Sequence, residues 1–121
     1  MMKEKSSISD VMASVDAMNV DDFVNFLDEG CCFRFGNLPA VAGIDAIGKF
    51  VGSFFDSIDS LQHDISDYWT ITGGVVCHGT VSYTRHDKSV LTVPFSNIFK
   101  INDDKIFEYL IFADTSQLYS Q

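Results

Sequence analysis

The segment from Lys105 to Asp114 is an almost unbroken apolar run that ends on a carboxylate. At the inner end of a buried strand such a group must be hydrogen-bonded, charge-paired or protonated. Asp114 therefore marks either a polar pocket, where it would act as general acid or base, or a solvent-facing strand end, where it would cap the turn Thr115-Ser116. His63 is a candidate catalytic partner and shares strand parity with Ile65, Asp67 and Trp69. Asn97 lies between Phe95 and Phe99 at period two, so its amide wants a hydrogen-bond partner, which a ligand carbonyl or a neighbouring backbone group could supply equally well. Arg34 interrupts an aromatic strand and would either bind a ligand oxyanion or pocket carboxylate, or look outward. Phe35, Phe54, Trp69 and Phe112 read as apolar wall, which differs from a core only in whether space is left between the rings.

Three cysteines, Cys31, Cys32 and Cys77, form no spaced ligand motif and read as small thiols without redox or metal work. No metal site and no cofactor is expected. With 17 acidic against 8 basic residues the net charge is -9, which repels phosphate backbones and anionic lipid surfaces, so nucleic acid and membrane are excluded as partners. No apolar stretch is long enough to span a bilayer, and Met1 to Lys5 does not lead into a signal-peptide core. A cytoplasmic protein is expected. At 121 residues with 46% hydrophobic content, the chain reads as a single domain over residues 1–121.

These residues need elements to position them. Val11, Met12, Val15 and Met18 recur at helical spacing after Ser7 or Ser9, either of which can cap. A second short helix carries Phe23, Val24 and Leu27, capped by Asp21 and ended by Gly30. Cys31 to Phe35 reads as a strand running into a loop that holds Pro39. From Ile44 to Ile58 an apolar stripe at offsets of three and four predicts a third helix packed on a sheet. Beyond Leu61 the period changes to two. Strands at about 61–72, 75–85, 89–101 and 105–114 are separated by Gly73-Gly74, Asp87-Lys88 and Asn102-Asp103-Asp104, which predicts an antiparallel meander and an α+β fold.

A twisted sheet of strands this long curls, and a helix covering part of its concave face would leave a cone-shaped cavity. Tyr68, Tyr83, Phe95, Phe99, Phe107 and Tyr109 are too many for one small interior. Some should cover the sheet's second face, most economically in a homodimer through the sheet.

The order α-α-β-α-β-β-β-β, with Phe33-Arg34-Phe35-Gly36-Asn37 and then Gly43-Ile44-Asp45-Ala46-Ile47 opening the third helix, resembles the SnoaL-like family of the NTF2-like superfamily. His63 followed by Trp69, the Gly79-to-Tyr83 strand, Val93-Pro94-Phe95, the hairpin Asp103-Asp104-Lys105-Ile106 and the closing Tyr109 to Asp114 with Leu118 extend the likeness to about residues 8–118. The resemblance implies a cone-shaped α+β barrel with three N-terminal helices, commonly dimeric. Polyketide cyclases, ketosteroid isomerases, epoxide hydrolases, dehydratases and non-catalytic carriers use that fold. Where the resemblance would place the isomerase base Asp, this chain has Arg34-Phe35. The isomerase oxyanion Tyr would fall near Val11, and the hydrolase Asp-Arg pair is missing around Cys77 to Val81. Asp114 alone matches, at the strand-end Asp that serves as acid or base in SnoaL-like cyclases.

Two functions follow as expectations. One is a cofactor-independent acid/base enzyme of cyclase, isomerase or hydratase type acting on a small hydrophobic, oxygen-bearing ligand, with Asp114 as acid or base and Asn97, His63 or Arg34 orienting an oxygen. The other is a non-catalytic binding or dimerising module, with a pocket collapsed by Phe rings and Asp114 exposed or bonded to backbone.

Overall fold

The computed structural model describes residues 4–119, with side chains from Ile8 onward. In chain order the elements are α1 (Glu4–Asp16), α2 (Val20–Val24), β1 (Leu27–Phe35), β2 (Val41–Ala42), α3 (Ile44–Asp56), β3 (Ser60–Ile71), β4 (Gly74–Thr84), β5 (Val90–Asn102) and β6 (Lys105–Ala113). The six strands form one curved, unclosed sheet in the order β2-β1-β6-β5-β4-β3. Strands β3 to β6 make the antiparallel meander that the period-two pattern predicts. The sheet is nonetheless mixed, because β6 returns beside β1 in parallel.

Local chemistry moves several boundaries. α1 already includes Glu4, upstream of both Ser7 and Ser9. Asn19, not Asp21, caps α2, its side chain accepting from the Asp22 backbone N–H at 3.1 Å, while Asp21 and Asp22 occupy the first turn where negative charge suits the helix dipole. Gly30 ends no helix, since α2 stops at Val24 and Gly30 lies within β1. The β5–β6 turn places Asp103 and Asp104 at φ of 51° and 64°, the left-handed pair that a two-residue hairpin demands.

The core gathers Ile8, Val11 and Met12 from α1, Phe23 from α2, Ile47, Val51 and Phe55 from α3, and the inner faces of β1 and β3 to β6. Each fully buried Phe or Ile stabilises by about 1.5–3 kcal/mol relative to exposure. Tyr83, Phe95, Phe99 and Tyr109 all fit in this interior and Tyr68 is half-buried, so of the six aromatics expected to exceed it only Phe107, 41% exposed, lies outside. That face carries Trp69, Val76, Ile98 and Leu110 in one row across four strands, with Phe112 nearby.

Two irregularities decide which side chains face inward. In β3 the register shifts between Ile65 and Asp67, leaving Ser66 as an extra residue. In β6 it shifts between Ile106 and Glu108, leaving Phe107 unpaired. Each bulge reverses strand parity beyond it. Gly79 is tied to the first: a Cβ there would stand 2.0 Å from the Asp64 carbonyl oxygen and 2.9 Å from Ile65 Cα. Only glycine admits that approach.

Candidate functional site

Between the helices and the inner face of the sheet lies a cavity of about 40 Å³, walled by Phe33, Phe35, Phe50, Phe54 and Phe55 and bordered by His63, Tyr83, Asn97 and Tyr109. At about 10–15 Å³ per water, that is room for about three or four water molecules. The open cone expected from the sequence is thus nearly filled. Phe rings close it, with Phe35 against Phe54 at 5.0 Å and Phe33 against Phe50 at 5.7 Å between centroids.

The polar part of the wall starts on α1. Ile8, Met12 and Asp16 recur every four residues and share one helix face, whose first two members are buried. Asp16 is the last residue of the helix, the end at which a carboxylate is disfavoured by the dipole. It is held there by His63, on the sheet's edge strand. One Asp16 oxygen accepts from the His63 backbone N–H at 3.1 Å, and the other meets the ring Nδ1 at 2.6 Å. A carboxylate only accepts, so Nδ1 carries a proton. The ring's Nε2 has no hydrogen-bond partner among the described residues, and the His63 side chain, 9% exposed, stands edge-on to Phe95 in the cavity wall. This is a histidine with its tautomer set by a carboxylate.

Asn97 comes from the middle of β5 and is 1% exposed. Its Oδ1 has no hydrogen-bond partner, whereas Nδ2 donates to the Met12 thioether sulfur at 3.8 Å. The Tyr109 hydroxyl donates to the same sulfur, also at 3.8 Å. An unpaired buried acceptor costs about 1–3 kcal/mol. Burial also pushes the Tyr83 and Tyr109 hydroxyls far above the ordinary tyrosine range, so both keep their protons.

The residues expected at a site fall into separate groups. His63, Asn97, Phe35 and Phe54 meet at the inner cavity. Asp114 does not join them, which corrects the expectation that it faces the interior with His63 as its partner. Beyond the Phe107 bulge, Tyr109, Ile111 and Ala113 turn inward, so Asp114 continues the outward parity of Leu110 and Phe112. It is exposed, accepts from the Ser116 backbone N–H at 2.9 Å, and is held below the usual carboxylate range first by that bond and then by the Ser116 hydroxyl. Arg34, Phe112 and Asp114 border a different hollow of about 640 Å³, open to solvent at the strand ends. Arg34 is exposed, and Phe112, 54% exposed, walls this outer hollow and not the inner cavity. Trp69, 50% exposed, does not wall the inner cavity either: the Ser66 bulge turns it outward, where it stacks on His78 at 5.1 Å, and His78 in turn meets Asp67 at 3.1 Å.

Sequence reasoning missed Asp16, Met12 and Tyr109. Asp16 was recoverable as an acid on the buried stripe of a helix; nothing local marks the Met12 sulfur as an acceptor. Cys31 and Cys77 are buried, and burial pushes their thiols up to about 12 and about 11. Among the described residues no cluster of three or more His, Cys, Asp or Glu is placed to hold a metal.

Comparison with known proteins places this architecture. An NTF2-like protein of unknown function from Burkholderia pseudomallei superposes with a TM-score of 0.87 at 11% identity, covering 98% of this chain and 95% of its own. A candidate SnoaL-like polyketide cyclase from Shewanella putrefaciens gives 0.82 at 14% identity, over 100% and 96%. A protein of ketosteroid isomerase-like fold from Catenulispora acidiphila, solved with trimethylamine, gives 0.84 at 10% identity, over 94% and 89%. No functionally curated protein is significantly similar in sequence. At these identities the structures speak to fold alone. The sequence model of the SnoaL-like domain, however, matches residues 8–109, most of the chain, and the chain belongs to that family.

Proposed function

We propose that the protein binds a small, neutral, hydrophobic, oxygen-bearing molecule in the inner cavity and moves a proton on it without a cofactor. The Asp16–His63 pair carries this reading: a 2.6 Å contact at the cavity wall that engages Nδ1 and leaves Nε2 without a partner among the described residues. His63 Nε2 takes a proton from the carbon next to a ligand carbonyl, and Asp16 stabilises the imidazolium that forms. The charge developing on the ligand oxygen is met by an Asn97 N–H. Return of the proton at another carbon is isomerisation, and its delivery to a departing hydroxyl is dehydration. The likeness to a candidate polyketide cyclase supports a ligand of this kind.

The test is proton exchange into deuterated water on 2-tetralone and 2-cyclohexenone, followed by NMR. Catalysed exchange should fall by roughly 10²-fold or more in His63→Gln. It should be unchanged in Asp114→Asn, whose carboxylate lies outside the cavity. Exchange no faster than in buffer, or unaffected by His63→Gln, removes the assignment.

A second reading, a scaffold that binds no ligand, is favoured by the small cavity, since ligand pockets usually measure about 300–1,000 Å³. It predicts that neither ketone perturbs the His63 or Asn97 resonances. We also propose that the outer row of Trp69, Val76, Ile98 and Leu110, with Phe112, pairs with the same face of a second copy, since an isologous contact sets one apolar strip against its equivalent.

A further inference from the structure

Two buried donors, the Asn97 amide N–H and the Tyr109 hydroxyl, converge on one thioether sulfur, and beside them the Asn97 carbonyl accepts from nothing. This is a poor use of three polar atoms in an interior. A thioether is a weak acceptor, and an orphaned amide oxygen is among the more costly things to bury. Swapping the amide's oxygen and nitrogen does not remove the mismatch, because Met12 has no hydrogen to give and one Asn97 atom stays unpaired in either orientation. Both Asn97 and Tyr109 border the cavity, and no Lys or Arg does.

We propose that Asn97 and Tyr109 form an oxygen-binding subsite, occupied in the free protein by the Met12 sulfur, and that its ligand group is a neutral hydroxyl on an aromatic or enolic carbon. A hydroxyl accepts from Tyr109 and donates to Asn97 Oδ1, completing what the thioether leaves undone; a bare carbonyl completes only half. An anion is disfavoured, since no Lys or Arg faces it. Methionine suits the role of displaceable occupant, because its three side-chain torsions let it withdraw where a branched residue could not. Met12 packs on Asn97 and Tyr109 behind the cavity wall, so its withdrawal would open space beside a cavity otherwise too small for a ring. The inference shares its cavity with the reading above but needs no base.

Equilibrium binding of p-cresol and of p-xylene, which share a shape apart from the hydroxyl, tests it by NMR titration of the wild type and of Met12→Ala. The p-cresol should bind about 10-fold or more tighter than p-xylene, and Tyr109→Phe and Asn97→Leu should each cut that preference by roughly 3- to 10-fold, as expected for one hydrogen bond. In the wild type, p-cresol should shift the Met12 methyl and Asn97 side-chain amide signals, a readout available even where a variant does not fold. Asp114→Asn, outside the cavity, should keep the preference. Equal affinities, no binding, or an unshifted Met12 methyl at p-cresol saturation overturns the subsite. Preference retained without any His63-dependent exchange sinks the catalytic reading alone.

Discussion

Replacing Asp16 by Asn keeps the side chain's shape and removes its charge. The Asn oxygen can still accept from the His63 backbone N–H, now 3.1 Å from Asp16. Its amide N–H₂ must then face the ring nitrogen that lies 2.6 Å from the carboxylate. Two donors cannot share that contact, so Nδ1 becomes the acceptor and the ring proton moves to Nε2. The lone pair that should take a substrate proton is then turned away from the cavity. Losing a hydrogen bond to a charged group costs about 1.5–3 kcal/mol of stability. Losing the correct tautomer of a histidine base costs roughly 10²- to 10⁴-fold in turnover. The assay needs no substrate: long-range proton–nitrogen correlation spectra report which ring nitrogen is protonated. The wild type should show the proton on Nδ1 and Asp16→Asn should show it on Nε2. The same tautomer in both proteins would refute the claim that Asp16 sets the chemistry of His63.

Gly79→Ala should lose about 1–3 kcal/mol or more, read as a lower urea midpoint, because the new methyl meets strand backbone at 2.0 Å and backbone cannot step aside as a flexible side chain can. Stability should fall as pH rises above about 9. In the unfolded chain the thiols ionise near pH 8.5, whereas folded Cys77 and Cys31 hold their protons to about 11 and about 12. The unfolded state then binds fewer protons, and each thiol removes about 1.4 kcal/mol per pH unit until its folded value is passed. Urea midpoints that stay level or rise between about pH 8 and pH 10 would contradict this. Phe112→Lys should shift sedimentation toward a single copy if the outer face pairs with itself, and an unchanged sedimentation profile would discard that interface.

Much of the architecture was legible because hydrophobic periodicity is a local property. The change from offsets of three and four over Ile44 to Ile58 to alternation beyond Leu61 placed α3 and strands β3 to β6 within a residue or two of where they lie. The resemblance to SnoaL-like proteins held for the same reason: turn residues and alternating strands carry the fold, and the fold is what the family shares. The candidate site was harder. The burial of Asn97 was legible, because a polar residue flanked at period two by Phe95 and Phe99 must be buried with them. Trp69 went astray because its parity with His63 was counted through Ser66 as if the ladder were regular; Phe112 and Asp114 lie beyond the Phe107 bulge, which turns both outward and leaves Asp114 the turn-capping alternative.

The sequence by itself determined the order of the three helices and the five long strands, the apolar stripe of α3, and the burial of Asn97. Only the tertiary structure decided which of them meet. A bulge inserts one unpaired residue when a curved sheet must keep its register with a neighbour, and the partner strand, far away in sequence, dictates where. Two such insertions sent the terminal carboxylate to solvent and the tryptophan to the outer face. A helix end packed across an edge strand then brought Asp16, 47 positions away, to His63.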